Sequence, residues 1–178
     1  SPNEMKNKFV ALINNEIKNK KAGKPAYIKI KVNDITDPVM VEKLYEASQA
    51  GVDIDLVVRG NCSLMTGIPG VSNNIRINGI IDRYLEHSRI FIFAAGGEEK
   101  VFIGSADWMP RNLDNRVEVV TPVYDPLIKA DLRKVIEFGL RDNCQGSIVD
   151  GSGENRPWTT ENDVPFRSQE ELYKSYKE

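Results

Sequence analysis

At 178 residues, with 40% hydrophobic and 28% charged positions, the chain is long enough to bury one domain core and shows no composition of disorder or collagen. Its formal net charge of −2 excludes a general electrostatic hold on nucleic acid, so any anion site must be a local cluster of arginine and lysine. Cys62 and Cys144 form no CxxC pattern, and no apolar run reaches the ~20 residues of a membrane span; a reducing cytosol is the expected setting. The start, SPNEMKNKF, lacks the grading of a signal peptide, and the absent initiator methionine suggests a fragment or a processed chain.

Phe9, Leu12, Ile13 and Ile17 recur at helical spacing and predict an amphipathic first helix closed by Gly23 and Pro25. AYIKIKV alternates as a strand with one more polar face, carrying Tyr27, Lys29 and Lys31. Asp37 and Pro38 supply an N-cap and a first helical residue for VMVEKLYEASQAG, with Gly51 at its end, and IDLVVRG reads as the next strand. Strand, helix, strand predicts a parallel pair with a right-handed crossover. Residues 60–74 are an aperiodic loop after a strand end, where open α/β sheets hold ligands.

IRING and IIDRYL are ambiguous between a short strand and a helical turn. RIFIFA and KVFIGSA read as hairpin strands joined by AAGGEE, and RVEVVTPV as another strand. Asp125 and Pro126 open a helix whose stripe is Ile128, Leu132, Val135, Ile136 and Leu140. Beyond Asn143 the pattern fades into a surface extension and a short polar segment, EELYKSY. The chain contains no repeat, GxxxxGK[ST], GxGxxG or HExxH.

The single histidine lies in EHSRIF. His87 and Arg89, two apart at a strand start, leave the same face, an imidazole that can move a proton beside a guanidinium that can clamp an oxyanion. An ordinary surface histidine fits the hexapeptide as well. Arg59, ending DLVV beside a glycine, needs a partner or an anion if buried, and is otherwise a solvated strand end. In GSADWMPRNLDNR, residues 104–116, two readings stay open: an anion cradle of backbone N–H groups with Ser105, Arg111 and Arg116, or an Asx-rich turn plugged by Trp108. The basic run 18–24 is a helix end, and the tail from DVPF onward has no ligand spacing. No residue set has the pattern of a metal site.

Three segments in this order, DPVMVEKLYEASQAGVDIDLVVRGNCSL, IIDRYLEHSRIFIF and GSADWMPRNLDNRVEVV, closely resemble the C-terminal part of the bacterial type 1 polyphosphate kinase family. The resemblance implies a single α/β domain with a phospholipase-D-like mixed sheet flanked by helices over residues 1–142, and a C-terminal extension, 143–178, packed on it. It implies membership of an enzyme that reversibly transfers the terminal phosphate of ATP to polyphosphate, with Mg²⁺, through a phosphohistidine carried by the preceding domain. His87 then corresponds to the second catalytic histidine, and Arg59, Arg89, Ser105, Arg111 and Arg116 to the phosphate-binding set.

The implied partners are ATP or ADP, polyphosphate, the upstream domains and, at full length, further copies of the enzyme, with no nucleic acid. Mg²⁺ would arrive with ATP, none being held tightly by this chain. The expected location is the cytoplasm, with peripheral placement at the inner membrane face left open. Against the phospholipase D pattern HxKxxxxD, Arg89 replaces the lysine and Ala94 the aspartate, which argues against lipid hydrolysis. Two alternatives remain: a noncatalytic polyphosphate-binding or oligomerisation module, and a homodimeric phosphodiesterase.

Overall fold

The computed structural model describes residues 2–154, 156–158 and 164–177. Residues 155, 159–163 and 178 of the expected C-terminal extension therefore lie outside the described residues. Among the described residues, four α-helices flank one seven-stranded sheet: α1 Pro2–Lys21, α2 Pro38–Gln49, α3 Pro126–Arg141 and α4 Ser168–Ser175, with strands β1 Tyr27–Val32, β2 Asp53–Val58, β3 Ile75–Ile80, β4 Ile90–Phe93, β5 Lys100–Gly104, β6 Val120–Val123 and β7 Gly146–Ile148. Strand order is β6-β5-β4-β1-β2-β3-β7. β1, β2 and β3 are parallel, whereas β4 to β6 and β7 join antiparallel, so the sheet is mixed.

Period-two alternation divides the core between the two faces. Ile54, Leu56, Val58, Phe91 and Phe93 pack beneath α1 and α2, while Val57, Ile90, Ile92 and Val101 pack beneath α3 around Ile136. The polar face of β1 has a structural use on the α3 side. Lys29 pairs with Glu137 at 3.7 Å, and Lys31, 7% exposed, pairs with Glu86.

Local chemistry explains the best-defined helix starts. The Asp37 carboxylate accepts from the Met40 N–H at 3.1 Å and Asp125 accepts from Leu127 and Ile128, with proline at the first helical position in both. The hairpin read from AAGGEE is present as β4–β5. Helix α2 ends at Gln49 with Ala50 as its C-cap, one residue before the expected Gly51, because Gly51 at φ 87° already begins the turn into β2.

The ambiguous stretch divides: IRINGI is strand β3, and residues 81–89 have no helix or strand. The expected RVEVVTPV strand shortens to β6, since Glu118 turns inward to a polar cluster instead of pairing in the ladder. Ile128 leaves the expected apolar stripe of α3 and is 53% exposed, as it lies in the first turn beyond the sheet edge. In the extension, β7 pairs with β3 and EELYKSY belongs to α4. No helix among the described residues is long and apolar enough to cross a membrane.

Candidate active site

The carboxyl ends of β1 and β2 and the start of β4 meet at one edge of the sheet, because β4 runs antiparallel to β1. That edge receives Asn33, Arg59, His87 and Arg89, and the β5 end adds Ser105 and Asp107. Polar groups gathered at the carboxyl ends of parallel strands occupy the usual ligand position of open α/β sheets.

Asp107 is the hub. Its side chain is 5% exposed and accepts from the Asn33 N–H at 2.8 Å, Asn33 Nδ2 at 3.1 Å and the Asp34 N–H at 3.3 Å. Arg89 adds Nε at 3.3 Å and one terminal nitrogen at 2.8 Å, a two-point grip on the same carboxylate. Burial opposes ionisation of Asp107, but the Arg89 bonds and the Asn33 donors outweigh it, so its pKa falls below the usual carboxylate value.

The other terminal nitrogen of Arg89 reaches His87, donating to Nδ1 at 2.8 Å and to the His87 carbonyl at 3.0 Å. A guanidinium has donors and no acceptor, so Nδ1 must present its lone pair and the ring proton must sit on Nε2. His87 is exposed, and its Nε2–H has no partner among the described residues, which leaves it available as a donor. Arg89, whose side chain is 9% exposed, thus has four of its five donors engaged within the protein.

Arg59 differs. Nε and one terminal nitrogen donate to Asn33 Oδ1 at 3.2 and 3.0 Å, and no carboxylate pairs with it among the described residues. Its other terminal nitrogen keeps both donors, so Arg59 is an oriented cation with an open side. Gly60 permits this approach: a Cβ there would lie 2.6 Å from Asp34 Oδ1 and 3.1 Å from the Asn33 carbonyl.

In the 104–116 segment Trp108 is the plug of the second reading, but the turn that follows it is a short helical one, Arg111–Asn115, and not built on Asx side chains. Trp108 is wholly buried against Phe9 and Phe91, with ring centroids 5.2 and 5.8 Å away, and its carbonyl accepts from the Thr36 and Asp37 N–H groups. The N–H groups of Ser105, Trp108, Asn112 and Leu113 all donate to backbone carbonyls, so these four are not open to an anion. Ser105 Oγ donates to Glu118 and accepts from the Val119 N–H at 3.1 Å; Asn112 Nδ2 donates to the other Glu118 oxygen at 2.7 Å. Arg111 and Arg116 are exposed and stand outside the His87 network.

Asn33, Asp107 as hub and Glu118 were not among the sequence-derived site residues. Burial pushes the Cys62 thiol up to about 11, away from the thiolate form a nucleophile needs near neutrality. As for magnesium, no group of three His, Cys, Asp or Glu among the described residues could hold a metal ion, and the nearest carboxylates, Asp107 and Glu118, are already occupied by protein donors. These residues do not fit a resident ion. Beside His87 a cleft of about 680 Å³ opens between Ile90, Ile103, Leu132, Gln169 and Tyr173.

A mixed seven-stranded sheet between helices, with His87 at a strand entry and Gly104–Ser105 across the hairpin from it, defines a phospholipase-D-like domain. Comparison with known proteins takes this further. The sequence matches the family described as polyphosphate kinase C-terminal domain 2 over residues 1–169, and the chain belongs to that family.

Polyphosphate kinase of Thermosynechococcus vestitus is 49% identical over 156 residues, 88% of this chain and 21% of that protein. The polyphosphate kinase of Streptomyces coelicolor is 42% identical over 173 residues, 97% of this chain and 23% of that protein. The chain therefore spans between a fifth and a quarter of these relatives. The crystal structure of polyphosphate kinase from Porphyromonas gingivalis superposes with a TM-score of 0.92 at 44% identity, covering 98% of this chain and 27% of that one. Nuc from Salmonella typhimurium, a phospholipase D family member, gives 0.51 at 16% identity over 75% of this chain and 88% of its own, a likeness of fold alone.

Proposed function

We propose that this domain supplies one half of the phosphoryl-transfer site of a longer bacterial polyphosphate kinase. The observation that carries the reading is the pairing, at one sheet edge, of an oriented arginine without a carboxylate partner, Arg59, with an imidazole held in one tautomer, His87. Arg59 binds a phosphate oxygen of ATP or polyphosphate, and its charge offsets what accumulates on the transferring group. His87 presents Nε2–H to a phosphoryl oxygen and, as a neutral imidazole whose Nδ1 is held by Arg89, donates a hydrogen bond to the charge that develops there.

Arg89 supports this chemistry as the group that orients His87. Its engagement with Asp107 and His87 supports a positioning role over the direct phosphate clamp suggested by sequence. Ser105, tied to Glu118, supports the loop, and Arg111 and Arg116 offer outer basic contacts to a long polyanion. The covalent phosphate is carried by a histidine upstream, so the balance of each half-reaction, phosphoryl from ATP to that histidine and from it to the polyphosphate end, is completed outside this chain. Mg²⁺ enters with ATP, and upstream domains close the site.

The experiment is Arg59→Ala in the longer protein that contains this chain, assayed with ATP and polyphosphate. Removing a phosphate-binding arginine is expected to reduce turnover by about 10²–10³-fold. Unchanged turnover and phosphate affinity would overturn the assignment. The isolated 178-residue chain should form no polyphosphate in the same assay.

A further inference from the structure

Residues 81–89, which carry His87, belong to neither helix nor strand. Among the described residues their one backbone-to-backbone bond outside the ladders is at the far end, from the Gly104 N–H to the Arg89 carbonyl. Side chains must therefore set the position of this segment, and most of them come from α4, a helix with no evident role in the sequence.

Gln169, in the first turn of α4, accepts from the Tyr84 N–H at 2.9 Å and returns Nε2 to the Tyr84 carbonyl at 2.9 Å. The same nitrogen donates to Glu86 Oε1 at 2.9 Å, one residue before His87, and the other Glu86 oxygen pairs with Lys31 of β1. Two residues earlier, at the N-cap of α4, Arg167 grips Asp82 through Nε at 3.0 Å and a terminal nitrogen at 2.5 Å, and the Asp82 side chain is 1% exposed. Helix α4 is itself fastened by Asp142, whose Oδ2 accepts from the Ser168 N–H at 2.8 Å and Oγ at 2.6 Å.

We propose that α4 is a strap that positions the catalytic segment, with Gln169 as a positioning residue that fixes the backbone before His87 so that Arg89 meets Nδ1 and holds the Nε2–H tautomer. The proposal deepens the phosphoryl-transfer reading and rests on it for its catalytic meaning, while its geometric content stands on the ring orientation alone. Two ends fix the imidazole: Arg89 holds its Nδ1, and Gln169 with Glu86 holds the chain that bears it. Without Gln169, the Tyr84 backbone loses both of its side-chain partners and Glu86 keeps only Lys31, so the ring loses its fixed relation to Arg89.

His87 is the single histidine, so its ring nitrogens give one unambiguous signal in a ¹⁵N-labelled chain. Long-range ¹H–¹⁵N correlation of the neutral imidazole is expected to show unprotonated Nδ1 and protonated Nε2 in the parent protein. In Gln169→Ala, at a helical position that alanine suits, the two nitrogen shifts should converge toward a tautomer mixture while the amides of residues 83–88 broaden. Gln169→Glu keeps the acceptor for Tyr84 but loses both donations, and carries the test if the alanine variant loses α4; convergence is expected there too.

Ser168→Ala removes only the hydroxyl bond to Asp142 and should lower stability without moving the imidazole signals. Parent-like imidazole shifts and amide relaxation in a folded Gln169 variant, or equal shifts in Ser168→Ala, would overturn the proposal. In the longer protein, Gln169→Ala should lower kcat about 10- to 100-fold with KM for ATP retained, the loss expected of a misplaced catalytic group. If the unaltered longer protein transfers no phosphoryl group, the functional reading falls while the imidazole result still decides the strap.

Discussion

Asp107→Asn isolates the hub of the site with almost no change in shape. The Asp107 and Arg89 side chains are 5% and 9% exposed, so the substitution breaks a buried ion pair. Asparagine keeps one oxygen for the Asn33 N–H, but its amide nitrogen then faces Arg89 or Asn33 Nδ2, donor against donor. Removing one partner of a buried pair costs about 3–5 kcal/mol; with one acceptor retained, the low end, about 3 kcal/mol, is expected.

Set against a total stability of about 5–15 kcal/mol, that is a large fraction. With a urea slope of about 2 kcal/mol/M, the unfolding midpoint should drop by about 1.5 M. The sign with pH follows from the lowered pKa of Asp107. Between the folded and the higher unfolded value, near 3.9 as an approximate reference, the unfolded chain binds the extra proton, so the stabilisation is present above that range and is lost as pH falls through the folded pKa. The gap between parent and variant should therefore be widest near neutrality and close below about pH 4. A midpoint shift under about 0.3 M at neutral pH, or a gap that widens in acid, would refute Asp107 as the hub.

Trp108→Ala empties a fully buried site between Phe9 and Phe91 and should cost about 3–5 kcal/mol in the same urea titration; a loss under about 1 kcal/mol would contradict its role as the plug. Gly104→Ala would set a Cβ 2.6 Å from the Val119 carbonyl oxygen and 2.7 Å from Val120 Cγ2. The β5–β6 pair must part, at about 1–3 kcal/mol, and a thermal melt no lower than that of the parent would show that the strands yield freely.

Legibility followed the range of the interactions. The Asp37–Pro38 start of α2, the β1–β2 crossover and the β4–β5 hairpin are specified by neighbours in sequence, and all three were readable. So was the His87–Arg89 contact, because two residues in extended chain share a face. Arg89 was readable as a cation but not as a positioning group: its partner, Asp107, lies 18 residues away, and the meeting depends on the hairpin register Ile90↔Ile103.

Asn33 entered unseen for the same reason, 74 residues from the carboxylate it supports. Glu118 hid inside what reads as a strand, though a carboxylate within RVEVV was a signal that some donor had to meet it. Helix α4 is short and mostly polar, and its importance lies in Gln169 and Arg167 reaching segments about eighty residues earlier, at separations of 83 and 85. Nothing local in EELYKSY announces that.

The most direct measurement is the turnover of a His87→Ala variant of the longer protein that the proposal calls for, followed both as polyphosphate formation from ATP and as ATP formation from polyphosphate. On the proposed reading both directions use His87, so both rates should fall together, by at least about 10²-fold for loss of a hydrogen-bond donor to the transferring group. Parent rates in either direction would contradict the assignment of this sheet edge to phosphoryl transfer.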